Sequence, residues 1–309
     1  MLQNNTALHV QDLSKTYATV KAVDGVSFEV RHGEIFGMLG PNGAGKTSTI
    51  RMILDIIKPD SGQIEVLGGP MNEDKKARIG YLPEERGLYE DMTLLDTLLF
   101  LGQLKGLSRA EAHSRAEKYL RIVDLWDVRE RKIDALSRGM TQKAQFVAAT
   151  LHEPELIIVD EPFSGLDPIN TRIIKSLLNQ LRESGSAIIM STHQMNRVEE
   201  MCSRIMLIDH GRQVLYGLVE DIRTRYAPHA IEVEFEGELP DLTGIAQSEQ
   251  QNGAYRLLLN EGTSPEQLLK TLVNSDTLQV KRFEELRASL EEIFVQVVGA
   301  EAYPQEESA

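Results

Sequence analysis

The residues Gly40-Pro41-Asn42-Gly43-Ala44-Gly45-Lys46-Thr47 constrain this chain more than any other feature, because they fit the pattern G-x-x-x-x-G-K-[ST]. Glu34 to Leu39 is a short, mostly apolar run that reads as a buried strand, and Thr47 to Ile57 reads as a helix that stops before Pro59. In a strand–loop–helix context the glycines let backbone N–H groups point inward and surround a polyphosphate. Lys46 supplies a fixed positive charge for the β and γ phosphates, the Thr47 hydroxyl is placed to ligate Mg²⁺, and Ser48 continues the same phosphate-binding turn. A glycine-rich turn without a ligand does not account for a match of this length in this context.

A second chemical cluster lies far downstream. Leu156-Ile157-Ile158-Val159-Asp160-Glu161-Pro162 is an apolar strand ending in two carboxylates. Asp160 at the strand end can hold Mg²⁺, and Glu161 beside it is placed to accept a proton from an attacking water. Alone, two acidic residues at a strand end could equally be a solvated pair; the phosphate loop upstream favours the chemical role. His193 follows the strand Ala187 to Met190 and the pair Ser191-Thr192. A histidine there can hydrogen-bond a γ-phosphate or orient a water, although a lone histidine after a strand is more often a surface or capping residue.

The rest of the chain alternates strands and helices. Leu8 to Val30 reads as paired strands, and Gln63 to Leu67 as another. The pattern is helical from Thr93 to Leu125, with leucines crowded at 94–101 and an amphipathic stretch from Arg109 to Val123, and again from Arg138 to Leu151; Asn170 to Glu183 and Gln194 to Met201 read as helices, and Ile205 to Ile208 as a strand. This order argues for a largely parallel sheet in an α/β domain. The composition changes near Tyr226-Ala227-Pro228, after which a smaller α/β pattern runs to the amphipathic stretch Ser289 to Val298. The expected organisation is a first domain over 1–227, a small α/β accessory domain over 228–300 and a disordered acidic tail over 301–309. The lone cysteine, Cys202, cannot form an internal disulfide and reads as a buried apolar residue.

Charge and hydropathy narrow the partners. A formal net charge of −14 disfavours general nucleic-acid binding, which needs clustered Lys and Arg. It does not exclude a nucleotide, because a phosphate cradle works through local backbone dipoles and one lysine. No uninterrupted apolar stretch reaches the ~18 residues of a membrane-spanning helix. The nearest, Leu94 to Leu107, is broken by Asp96, Gln103 and Lys105. Direct membrane insertion is therefore not expected, and any membrane work must go through a partner.

The motifs together resemble the ABC ATPases. The phosphate loop, Leu136-Ser137-Arg138-Gly139-Met140, the carboxylate strand, Ser164-Gly165-Leu166-Asp167 and His193 occur in the order found in that family, over about two-thirds of the chain, Leu8 to Gly217. The resemblance implies a P-loop NTPase of the ABC nucleotide-binding type with a helical subdomain, ATP and Mg²⁺ as ligands, and hydrolysis of ATP. It implies that Ser137 and Gly139 contact the γ-phosphate bound by the opposite subunit of a homodimeric ATP sandwich, that Asp167 belongs to a loop communicating across that dimer, and that Tyr17 stacks on adenine. Two departures stand out. The family signature is usually L-S-G-G-Q, so Arg138 and Met140 differ, and after Ile79-Gly80-Tyr81-Leu82-Pro83 this chain has Glu84 where the family usually places a glutamine that touches Mg²⁺. A carboxylate there can still ligate the metal. Tyr81 to Tyr89 resembles a subgroup of bacterial exporters with separately encoded permeases, some described as sodium exporters. The implied partner is a transmembrane permease, and the implied location is cytoplasmic, peripheral on the inner face of the membrane.

Two other readings compete. A soluble ABC protein acting on ribosomes or nucleic acid would usually carry two cassettes or a long coiled-coil insertion, and neither is visible. A P-loop kinase leaves the Ser137 segment and His193 unexplained.

Overall fold

The computed structural model describes residues 5–84, 87–237, 242–251, 253–260, 262–275 and 278–302. The chain divides into two compact units, Met1–Val219 and Glu220–Ala309. The composition shift at Tyr226 falls just inside the second. The tail expected at 301–309 lies outside the described residues from 303 onward.

The first unit runs β1 (Thr6–Tyr17), β2 (Val20–Arg31), β3 (Ile35–Leu39), α1 (Lys46–Ile53), β4 (Ser61–Val66), α2 (Glu73–Ala77), β5 (Ile79–Leu82), α3 (Leu94–Leu104), α4 (Arg109–Ile122), α5 (Arg138–Thr150), β6 (Leu156–Asp160), α6 (Pro168–Glu183), β7 (Ala187–Thr192), α7 (Met195–Met201), β8 (Arg204–Asp209) and β9 (Arg212–Leu218). Six strands form one sheet in the order β5-β6-β7-β3-β8-β9. All pairs in it are parallel except β8 with β9. Every residue of β3, β6 and β7 is buried, as expected of parallel strands covered on both faces. A second, antiparallel sheet has the order β2-β1-β4. Its inward residues, among them Leu8, Val10, Val26 and Phe28, join Phe36, Met38, Ile50 and Ile158 in one core. Phe28 and Phe36 stack with ring centroids 5.2 Å apart, tying the two sheets together.

The helical run expected from Thr93 to Leu125 is two helices. Gly106 takes a left-handed φ of 90°, and Ser108 and Glu111 form a reciprocal capping box that restarts the helix as α4. The helix after the phosphate loop also stops early, at Ile53, with Asp55 left-handed. Short elements that periodicity did not reveal are α2, β5 and β9, each too brief or too irregular in polarity to show a period. No helix among the described residues is long and apolar enough to cross a membrane.

The second unit opens with most of α8 (Val219–Arg225), followed by β10 (Ala230–Gly237), β11 (Ile245–Gln251), β12 (Ala254–Leu259), α9 (Pro265–Val273), β13 (Leu278–Glu285) and α10 (Leu290–Ala302). Its antiparallel sheet has the order β11-β12-β10-β13. Alternation in β10 and β12 sends Ile231, Val233, Leu257 and Leu259 to the core with Leu268 and Leu272 of α9. β11, rich in Gln and Glu, was not visible as a strand.

Candidate active site

The strand order places three distant segments side by side. Leu39, at the end of β3, pairs with Thr192 of β7, and Ser191 of β7 pairs with Asp160 of β6. The phosphate loop, the two carboxylates and His193 therefore leave the same carboxyl edge of the sheet. In open α/β folds that edge is where ligands bind.

The loop geometry requires glycine at two positions. Gly40 has φ 150°, and a Cβ there would come within 2.1 Å of the Ile208 carbonyl oxygen; at Gly45, φ 110°, it would come within 2.3 Å of the Ala22 oxygen. Gly45 is also the N-cap of α1, so no side chain caps the first helical turn, and no acidic residue lies in that turn. Its N–H groups are left for an external acceptor. Lys46 is 7% exposed, and its Nζ donates to the carbonyls of Gly40 at 2.7 Å and Pro41 at 3.0 Å. Two of its three N–H groups are engaged by the loop and one remains. Burial lowers the Lys46 pKa, against the opposing charges of Glu161, Asp160 and Glu84.

Ala22, Asn42, Gly43, Gly45, Lys46, Thr47, Ser48, Glu84, Asp160 and Glu161 line a cavity of about 260 Å³. Gly40, Pro41 and Ala44 build the loop from behind: Ala44 is buried, donates to the Pro41 carbonyl and accepts from Gly211 N–H. Asp160 is 4% exposed; burial raises its pKa, with Glu84 and Glu161 acting in the same direction and Ser191 and Lys46 against.

Glu161 is the most constrained residue of the site. Its backbone is left-handed, with φ 48°, a conformation that costs a residue with a Cβ about 1–3 kcal/mol. Its N–H donates to the Ser191 carbonyl at 2.9 Å. One carboxylate oxygen accepts from the Thr192 hydroxyl at 3.0 Å; the other accepts from His193 N–H at 2.9 Å and lies 2.6 Å from His193 Nδ1. The carboxylate accepts, so Nδ1 carries the proton, on a side chain that is 56% exposed. Three of the roughly four acceptor positions of Glu161 are thus used, leaving one toward the cavity. Thr192, unassigned from sequence, is the residue that completes this grip.

The donor set fits a hard divalent cation carried with phosphates. The Thr47 hydroxyl and the Asp160 and Glu84 carboxylates share the cavity wall. No group of three or more His, Cys, Asp or Glu side chains among the described residues is gathered to hold a metal by itself. A small hard cation such as Mg²⁺ takes one or two carboxylates and completes its shell with phosphate and water.

The remaining candidates lie elsewhere. Ser137 is the N-cap of α5 and accepts weakly, at 3.4 Å, from Met140 N–H; Gly139 has open space around it. Neither lines the Lys46 cavity of its own chain. Asp167 is the N-cap of α6, accepting from Asn170 N–H at 2.8 Å, with Pro168 in the first turn. That structural role alone accounts for an aspartate here. Tyr17 ends β1 with 42% of its surface exposed and Lys15 Nζ 5.8 Å from its ring centroid. It pairs with Val20, on the strand whose Ala22 abuts Gly45. Glu85 and Arg86 lie outside the described residues.

A family profile described as ABC transporter matches residues 23–164, and one described as the C-terminal domain of DrrA1-3-like ATP-binding proteins matches residues 217–298. An ABC transporter ATP-binding protein of Bacillus subtilis, YhaQ, is 37% identical to this chain over 95% of it and 99% of that protein. Nod factor export ATP-binding protein I of Ralstonia nicotianae is 30% identical over 95% of this chain and 94% of its own length. A solved structure described as the ATP binding subunit of an ABC transporter superposes with a TM-score of 0.68 at 34% identity, covering 72% of this chain and 93% of that one.

Proposed function

The chain belongs to the family of ABC transporter ATP-binding proteins, and on that premise we propose that it binds and hydrolyses ATP to drive export through a separate transmembrane permease. The observation that carries this is the meeting of Lys46, Asp160 and Glu161 on one cavity, with Glu161 gripped by Thr192 and His193. Lys46 and the uncapped N–H groups of α1 bind the β and γ phosphates, and Tyr17 supplies a stacking face for the adenine. Thr47, Asp160 and Glu84 would hold Mg²⁺, which neutralises phosphate charge when bound. Glu161 takes a proton from the water that attacks the γ-phosphorus, the bond from that phosphorus to the bridging oxygen breaks, and ADP and phosphate leave. His193 positions Glu161.

ABC ATP-binding subunits dimerise and work with transmembrane partners. Ser137 and Gly139 stand away from their own chain's cavity, which supports their use on the nucleotide of a second copy, with Asp167 on the adjoining loop. A mixture of Lys46→Ala and Ser137→Ala chains tests this. Each mixed dimer has one doubly damaged site and one intact composite site, so ATPase activity is expected to return above that of either variant alone. A mixture no more active than its parts would remove the shared site.

The same unit offers the permease a surface. Leu88, Leu101, Leu104, Ala148 and His152 line an apolar cavity of about 270 Å³, flanked by the edge-to-face pair Tyr89 and Phe100, 5.5 Å apart. Burial pushes His152 down to about 4, so the groove stays uncharged there at neutral pH. Leu104 is 65% exposed and Tyr89 49%. An apolar patch of this kind marks an interaction site. With the permease embedded, this chain sits peripherally on the inner face of the membrane. Leu88→Asp is expected to abolish transport by the assembled complex while the isolated chain keeps its basal ATPase within about threefold, since a surface change away from the phosphates costs little locally. Co-purification of the chain with ribosomes or DNA and never with membranes would overturn the transport role.

A further inference from the structure

β1 loses its regular strand pairing before it reaches Tyr17. Its last pair with β4 is Ser14 with Ser61, and its register with β2 shifts on either side of Lys15. Irregularities of this kind re-aim side chains and take backbone groups out of the ladder. Asp60, the residue before β4, takes over at this point. Its N–H donates to the Ser14 carbonyl at 2.9 Å, one carboxylate oxygen accepts from Thr16 N–H at 2.7 Å, and the other accepts from Lys15 Nζ at 2.8 Å. Three consecutive residues of β1 are thus clasped by one aspartate. The Lys15 side chain is 18% exposed in this clasp, and its ammonium lies over the Tyr17 ring, 5.8 Å from the centroid. That is within the ~6 Å reach of a cation–π contact.

The clasp governs how Tyr17 is presented. An exposed tyrosine at a strand end is free to change rotamer, and a ligand that must order it loses affinity in doing so. Lys15 removes that freedom from one side. It covers one face of the ring, so the opposite face is the one open to a planar base, and a cation over the covered face adds to the attraction that holds the ring in place. The charge of Lys15 is itself engaged by Asp60, and the neighbouring cations Lys21 and Arg212 are both paired with Asp24. Neither of those two takes the place over the ring. We propose that Lys15 is a positioning residue for the nucleotide base: clasped by Asp60, it backs one face of the Tyr17 ring and fixes the other face for adenine. This rests on the stacking role of Tyr17 proposed above. Lys15 acts through Tyr17 and touches neither the base nor the phosphates.

The test uses the full-length chain in a Glu161→Gln background, so that ATP persists during titration. ATP affinity is read by calorimetry, and inorganic tripolyphosphate is titrated as a probe of the phosphate loop alone. Lys15→Met should weaken ATP binding about 3- to 10-fold, the range set by ordering one side chain on binding. Lys15→Arg, which keeps both the ion pair and the cation over the ring, should restore the parent affinity to within about twofold. Asp60→Asn, whose amide oxygen can still accept from Thr16 N–H, should fall between the two. Tripolyphosphate affinity should be the same in all of them, and the apo proteins should melt within a few degrees of the parent, because a partly exposed ion pair adds little to stability. In a Tyr17→Leu background Lys15→Met should cost no further ATP affinity. Unchanged ATP affinity in Lys15→Met would overturn the proposal. So would an equal loss in the Tyr17→Leu background, or a parallel loss for tripolyphosphate, either of which would place the action of Lys15 elsewhere. If Tyr17→Leu by itself binds ATP as the parent does, the adenine stack is removed instead, an outcome visible before any Lys15 variant is made.

Discussion

Glu161→Gln is expected to lower steady-state ATP turnover by about 100-fold or more while ATP binding is kept, the usual scale for a lost positioned base. The amide has nearly the same shape, so the left-handed backbone at φ 48° and its bond to Ser191 are undisturbed. The amide oxygen can accept from His193 N–H where the carboxylate accepts now at 2.9 Å, and the amide NH2 can donate to the Thr192 hydroxyl, which accepts as readily as it donates. What is lost is proton affinity at the one acceptor position left facing the cavity. ATP binding does not depend on that position, because Lys46 and the first turn of α1 are unchanged. Phosphate release measured under saturating ATP, beside calorimetric titration of the same preparation, separates the two quantities. Near-normal turnover would remove Glu161 as the base and leave the nucleotide site in place.

Lys46→Ala should reduce ATP affinity by about 10-fold or more, the range expected for loss of charge-assisted hydrogen bonds to phosphate. The apo protein should melt within a few degrees of the parent. Two effects offset each other in the empty chain. The variant loses the bonds from Nζ to the Gly40 and Pro41 carbonyls, and it is relieved of a buried ammonium whose desolvation lowers its pKa. In the nucleotide complex nothing replaces the missing charge, and Asp160, Glu161 and Glu84 are left facing the phosphates without it. Calorimetry with ATP and a thermal melt without it read both quantities. Unchanged affinity would take Lys46 out of the site.

The elements that sequence made legible are those whose evidence is contiguous. The loop from Gly40 to Thr47 carries its own strand and helix; β3, β6 and β7 announce themselves as unbroken apolar runs because both faces of a parallel sheet are covered. The amphipathic stretch Arg109 to Val123 is α4 to within one residue, and the break before it is written locally, in Gly106 and the Ser108–Glu111 box. β5, β9 and β11 escaped because short or polar strands have no period to detect.

For the site, sequence determined which side chains have the right chemistry: an ammonium in a glycine loop, paired carboxylates at a strand end, a histidine after a strand. Only the tertiary structure decided which of them meet. The order β6-β7-β3 brings residues separated by more than a hundred positions to one edge of a sheet, and strand order is a product of packing that no local pattern encodes. The same packing turned His193 toward Glu161, enlisted Thr192, and left Ser137 and Gly139 outside their own chain's cavity. Residue chemistry is local and can be read along a chain, whereas distance between residues is settled only when the strands choose their neighbours.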